Sequence, residues 1–157
     1  FVAALGGIFE HSPWIAEAAW AARPFADVAA LHAAMVAAMR SAPHARALAL
    51  LRAHPELAGR AMVDKTLTAD STSEQTRSGL THCTPEEFAR LTRLNADYNR
   101  KFGWPFILAV KFLDRPTIIR TFAERLEQCA ADEFDNCLAN IEKITRWRLD
   151  DLLARAP

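Results

Sequence analysis

Thr84-Pro85-Glu86-Glu87-Phe88-Ala89-Arg90-Leu91-Thr92-Arg93-Leu94-Asn95-Ala96-Asp97-Tyr98-Asn99-Arg100-Lys101-Phe102-Gly103-Trp104-Pro105 decides the fold class of this chain. Thr84 is an N-cap, Pro85 takes the first helical position, where a missing N–H costs nothing, and Glu87 stands at the capping-box position. Phe88, Leu91, Leu94, Asn95 and Tyr98 follow at the spacing of one helical face. Lys101 suits the negative end of the helix dipole, Gly103 ends the helix and Pro105 stops it.

The same signals recur on both sides. Towards the C-terminus, Pro116 opens a helix through Ile119, Phe122 and Leu126 to about Gln128. A final helix spans about Asp132 to Leu153 with Phe134, Leu138, Ile141, Ile144 and Leu149 inward. The apolar run Pro105 to Phe112 suits a short strand or a buried helix; periodicity does not separate them, and its surroundings favour helix. Towards the N-terminus, Ser12 caps a helix with Pro13 in its first turn, running towards Arg23-Pro24. Asp27 caps another carrying Val28, Leu31, Met35 and Met39, which ends near Ser41-Ala42-Pro43, and a further helix runs to about Ala53. Between His54 and Leu80 the polar residues and Pro55, Gly59, Asp64 and Thr66 break the period, which predicts a long loop. The expectation is an all-α, single-domain helical bundle of about seven to nine helices, covering residues 1–157.

Composition agrees with one packed core. Of 157 residues, 51% are hydrophobic and 24% charged, with only 5 Gly, which excludes disordered and collagen-like classes. Nineteen Lys plus Arg balance nineteen Asp plus Glu, so no net basic field draws a nucleic-acid backbone or an anionic membrane. The run from Pro105 to Val110 is far below the roughly 20 residues that cross a bilayer. Cys83, Cys129 and Cys137 are an odd, sparse set that suits reduced thiols and a cytoplasmic location. Phe1 stands where an initiator Met is usual, and a trimmed start is the expectation.

Chemistry is concentrated where the helical pattern stops. There is no phosphate-cradling glycine loop, no nucleophile elbow and no His or Cys pair at metal spacing, so no metal and no cofactor are expected. His54-Pro55-Glu56-Leu57-Ala58-Gly59 must end a helix, because a proline disfavours the α conformation before it. Local spacing favours a surface histidine at a helix C-terminus; an imidazole fixed at a pocket mouth is the other reading. Ser71-Thr72-Ser73-Glu74-Gln75 suits ordinary capping, with Ser71 as N-cap and Glu74 as its reciprocal partner, and equally suits a polar ligand site. Within Arg146-Trp147-Arg148 one arginine can turn inward, where a guanidinium matches a carboxylate or ureido group.

Four blocks then carry a resemblance: Glu10-His11-Ser12-Pro13-Trp14; His54 to Gly59; Ser71 to Gln75 with Gly79-Leu80; and Leu94 to Ile107. In this order they resemble the 2-oxo-4-hydroxy-4-carboxy-5-ureidoimidazoline (OHCU) decarboxylases of urate catabolism, and the likeness continues through Glu142-Lys143-Ile144 and Arg148-Leu149. Trp104 stands where the family pattern has Phe, and Arg60 where Lys is common. The resemblance implies an all-helical, cofactor-independent, usually homodimeric carboxy-lyase that converts OHCU to (S)-allantoin and carbon dioxide. It implies His54, Glu74 and Arg148 as catalytic residues, with Arg146 the alternative to Arg148 if gaps shift the match. Ser71 and Gln75 match polar ligand contacts, Pro55 shapes the pocket, and Phe106 and Ile107 lie where backbone groups meet the substrate. The competing readings are a non-catalytic helical interaction module and a paralogue acting on another ureido or imidazolone acid.

Overall fold

The computed structural model describes residues 1–59 and 68–155, with the side chain of Arg77 left aside, so the expectations on Arg60, Asp64 and Thr66 lie outside the described residues. Every regular element among those described is helical: α1 Val2–Leu5, α2 Trp14–Ala19, α3 Val28–Arg40, α4 His44–Ala53, α5 Ala69–Arg77, α6 Pro85–Phe102, α7 Arg115–Leu126 and α8 Ala130–Ala154, with 3-10 turns at Trp20–Ala22 and Leu80–His82. The all-α expectation is met.

The chain divides into two compact units, Phe1–Ala53 with Leu138–Pro157, and His54–Cys137. In the first, Asp27 caps α3 by accepting from the Ala30 N–H at 2.7 Å, and Met35 and Met39 on its apolar stripe are fully buried. Ser12 does not cap α2: the helix starts at Trp14 with Pro13 in the cap position and makes no side-chain cap bond. It gives way to the 3-10 turn before Arg23. Ile141, Ile144 and Leu149 of α8 are buried, as the periodicity requires.

In the second unit α6 obeys its local signals closely. Thr84 Oγ1 accepts from Glu87 N–H at 3.2 Å, Glu87 returns the bond to Thr84 N–H at 2.9 Å, and Gly103 closes the helix at φ 79°. Asp114 caps α7, and Pro116 lies in its first turn. Two expectations need correction here. The long loop before Leu80 contains α5, whose N-cap is Thr68 rather than Ser71: Thr68 Oγ1 accepts from Ser71 N–H at 3.3 Å.

The run after Pro105 is neither strand nor helix but irregular buried backbone. A helix there would give the Ile107 carbonyl to the main chain. Instead that carbonyl accepts from Arg125 Nη1 at 2.7 Å, while the Phe106 ring lies flat on Phe122 at 3.9 Å between centroids.

Candidate active site

His54 owes its place to its neighbours in sequence. Leu50 and Leu51 bury the apolar face of α4, and Pro55 forbids His54 from continuing the helix, so α4 stops at Ala53 and the imidazole is carried inward at 7% exposure. Beyond it the chain turns sharply. Ala58 adopts a left-handed φ of 49°, and Gly59 passes so near Glu56 that an added Cβ would lie 2.5 Å from Glu56 Cβ. No side chain larger than hydrogen fits there without moving the loop.

α5 presents its polar residues on one face. Ser71, Gln75 and Ser78 fall at helical spacing and are buried, with Glu74 half-buried on the adjoining turn. The Gln75 amide uses both ends on the His54 loop: Oε1 accepts from Ala58 N–H at 2.9 Å and Nε2 donates to the Glu56 carbonyl at 3.2 Å. The structure therefore ties the segment bearing His54 and Pro55 to the helix bearing Ser71, Glu74 and Gln75. α6 adds two further ties: Asn95 Nδ2 donates to the Leu57 carbonyl at 2.9 Å and Asn99 Nδ2 to Glu56 Oε1 at 2.6 Å.

Phe106 and Ile107 belong to the same unit and are held differently. Arg125 reaches the Ile107 carbonyl, lies over the Phe106 ring at 4.6 Å, and forms a two-pronged pair with the fully buried Glu133, Nη2 to Oε1 at 2.6 Å and Nε to Oε2 at 3.1 Å. Tyr98 donates to the same Glu133 oxygen, and Cys137 Sγ lies 3.4 Å from both the Tyr98 hydroxyl and Arg125 Nη2. Burial works against the charge on Arg125, but the hydrogen bonds and charge of Glu133 outweigh it and hold the guanidinium pKa up. Burial, with Cys137 and Glu133 beside it, pushes the Tyr98 phenol far above its ordinary range, and burial likewise raises the Cys137 thiol. These groups hold their protons; they are scaffold, not acid–base candidates.

Arg148 lies in the first unit. It is the inward arginine of its stretch, at 6% exposure, and its Nη1 donates to Glu10 Oε2 at 2.7 Å. Arg146 instead pairs along the helix with Asp150 at 3.0 Å. Glu10 lies in the first block that carries the resemblance, and its role as a buried partner was not legible: the two residues are 138 positions apart. Asn95, Asn99, Arg125 and Glu133 were missed in the same way, although an Asn on an apolar helical face and a buried acidic residue in a first turn are signals in hindsight.

The chemical capacity of the second unit is proton handling by an imidazole, a carboxyl and a hydroxyl on anchored backbone. No group of three His, Cys, Asp or Glu side chains placed to hold a metal occurs among the described residues, and none of their helices is long and apolar enough to cross a membrane.

Known proteins align with this arrangement. The OHCU decarboxylase family profile matches residues 1–150. The mouse (Mus musculus) 2-oxo-4-hydroxy-4-carboxy-5-ureidoimidazoline decarboxylase is 40% identical over 98% of this chain and 86% of its own length. The uric acid degradation bifunctional protein PucL of Bacillus subtilis (strain 168) is 39% identical over 95% of this chain, which spans 29% of that longer protein. A crystal structure of (S)-allantoin synthase superposes with a TM-score of 0.75 at 29% identity, over 96% of this chain and 49% of the other. With the family profile matched from Phe1 to Asp150 and near-full-length identity to the mouse decarboxylase, the chain belongs to the OHCU decarboxylase family.

Proposed function

We propose that this protein is a carboxy-lyase of urate breakdown that converts OHCU to (S)-allantoin and carbon dioxide, with residues 1–157 acting as one functional domain. The observation that carries it is the buried His54 segment, bonded through Gln75 to the helix that bears Glu74, in a chain of this family.

The substrate has a hydroxyl and a carboxylate on one ring carbon, beside a C=N carbon that bears the ureido group. The bond to the carboxylate breaks and carbon dioxide leaves. The released pair forms a carbon–carbon double bond, and the C=N pair moves to nitrogen, which takes a proton. The hydroxyl proton passes to His54 as that oxygen becomes a carbonyl, and Glu74, entering as the carboxylic acid, protonates the ureido-bearing carbon from one face. Overall one proton is consumed. The substrate is its own electron sink, so this route asks for no cofactor, and the protein supplies orientation, exclusion of water and a single face of protonation. Arg148 is assigned to the carboxylate or ureido end, and Ser71, Gln75, Pro55 and the backbone of Phe106 and Ile107 to the remaining contacts, on the strength of the family motif.

We infer a homodimer in the cytoplasm. The family resemblance supports the first and three free thiols the second.

The test generates OHCU freshly from urate and follows allantoin by circular dichroism. The wild-type protein is expected to give one (S)-allantoin signal, with His54→Ala and Glu74→Gln lowering kcat/KM by about 10²–10⁴-fold. Only slow racemic product would mean another ureido or imidazolone acid is the substrate, or that the helices serve binding alone.

A further inference from the structure

We propose that Asn95 is a positioning residue for this reaction: from α6 it fixes the backbone that carries the His54 imidazole. The proposal rests on the reading in which His54 meets the substrate.

Asn95 lies on the buried stripe of α6 with Leu91, Tyr98 and Phe102, at 4% exposure. An amide at such a position is unfavourable unless its polar atoms are used. One is: Nδ2 donates to the Leu57 carbonyl. The other, Oδ1, is buried and makes no hydrogen bond among the described residues. What the site exploits is therefore the single donated bond to the His54 loop.

That bond matters because of what it completes. With the left-handed Ala58 and the close approach at Gly59, residues 56–58 do not join a regular helix or strand. Apart from one long turn bond, from Gly59 N–H to the Glu56 carbonyl at 3.4 Å, their backbone is held by side chains: the Glu56 carbonyl and Ala58 N–H by Gln75, and the Leu57 carbonyl between them by Asn95. α5 and α6 thus grip consecutive residues two to four positions beyond His54. α6 is the longer support, 18 residues against 9, with a full capping box and a glycine stop. A base that must meet a hydroxyl proton within hydrogen-bond reach depends on such support, because a displacement of about 1 Å costs on the order of 10² in rate.

The orphaned Oδ1 makes the idea testable, since Leu is nearly isosteric with Asn. Asn95→Leu removes the donor to Leu57, and it also removes a buried acceptor that has no bond among the described residues. Stability should change little while placement suffers. The experiment compares wild type, Asn95→Leu and, should that variant not fold, Asn95→Ser, whose hydroxyl is too short to reach the carbonyl. Each is assayed on fresh OHCU, melted thermally, and examined by NMR with the histidine rings isotopically labelled and His54 assigned by its Ala variant. The proposal expects Tm within a few degrees of wild type, kcat down by about 10- to 100-fold with KM moved less than about threefold, and shifted or broadened His54 ring resonances. A purely structural Asn95 would lower Tm and the folded fraction, leaving kcat per folded molecule and the His54 resonances as in wild type; that result overturns the proposal. A wild-type protein that does not turn over OHCU, or a His54→Ala variant with normal turnover, would instead remove the functional reading, and unmoved His54 resonances in the Asn95 variants would still refute the positioning role by themselves.

Discussion

Two irregular stretches of the second unit, 54–59 and 105–110, solve one problem with opposite chemistry. Each contains a proline near its start, each is largely buried, and side chains bind backbone groups that a helix or sheet would otherwise satisfy. The His54 loop is gripped by neutral amides, those of Gln75, Asn95 and Asn99. The Phe106–Ile107 stretch is gripped by one guanidinium, which itself requires Glu133. An amide offers donor and acceptor together and brings no net charge of its own to the loop that carries the His54 imidazole. A guanidinium binds more tightly but brings a charge that must be matched inside the protein. The comparison teaches that the His54 loop is held by groups that bring no charge of their own, whereas the Phe106–Ile107 stretch is pinned by an ion pair.

The sharpest way to break this contrast is Glu133→Ala, which leaves Arg125 charged and buried. Removing one partner of such a pair costs about 3–5 kcal/mol, and at roughly 2–4 °C per kcal/mol for a chain of this size the melting temperature should fall by about 10 °C. The double replacement Arg125→Met with Glu133→Leu should recover much of that loss, since the charge and its counter-charge leave together. A single variant that melts with wild type would show that the guanidinium is not the anchor of 105–110.

Gln75→Leu attacks the other side. It strands the Ala58 N–H and leaves the Glu56 carbonyl only the 3.4 Å bond from the Gly59 N–H. A buried group without its partner costs about 1–3 kcal/mol, and a loss of that size is expected in urea denaturation. Turnover should fall as well, because the His54 segment loses its tie to α5. Tyr98→Phe is milder. It deletes one bond to Glu133 while Arg125 still binds the carboxylate through Nε and Nη2, and a net loss of about 1 kcal/mol is expected. A loss comparable to that of Glu133→Ala would mean that the phenol's hydrogen bond, more than the ion pair, anchors Glu133.

How much of this was legible follows the range of each interaction. The ends of α6 were readable because Thr84, Glu87 and Gly103 act on backbone within one turn. The start of α5 was set at Ser71, three residues late, and its body was read as loop for a specific reason: the face it buries is Ser71, Gln75 and Ser78, and a hydrophobic period cannot register a face whose inward residues are polar. The run 105–110 was ambiguous because the group that replaces its main-chain bonds, Arg125, lies 18 residues from Ile107. The site divides in the same way. Pro55 alone forces His54 out of its helix, whereas the local pattern left Glu74 open between cap and ligand group and did not choose Arg148 over Arg146, and nothing local announces that Arg148 meets Glu10.

The smallest effect sharpens the contrast by pH. Amide side chains do not titrate, and the Arg125 pKa is held up, so neither grip gives a stability slope of its own near neutrality. His32 in the first unit does. It lies 3.1 Å from Thr145 Oγ1, and because that hydroxyl already donates to the Ile141 carbonyl at 2.8 Å, the imidazole Nε2–H is the donor. Burial, then the charge of Arg146, lowers its pKa from the ordinary 6.5, against the opposing pull of the Glu142 carbonyl and the Glu142 and Asp150 carboxylates. A histidine depressed on folding binds its proton more readily unfolded, so its stabilising contribution is complete above pH 6.5 and is lost as pH falls from there through the folded value. His32→Gln should therefore flatten the fall in melting temperature as pH drops below about 6.5, while Gln75→Leu and Tyr98→Phe lower the curve without changing its slope. If Gln75→Leu steepened that slope instead, the amide grip would be coupled to a titrating group, and its electrical neutrality would not be the property that suits it to the His54 loop.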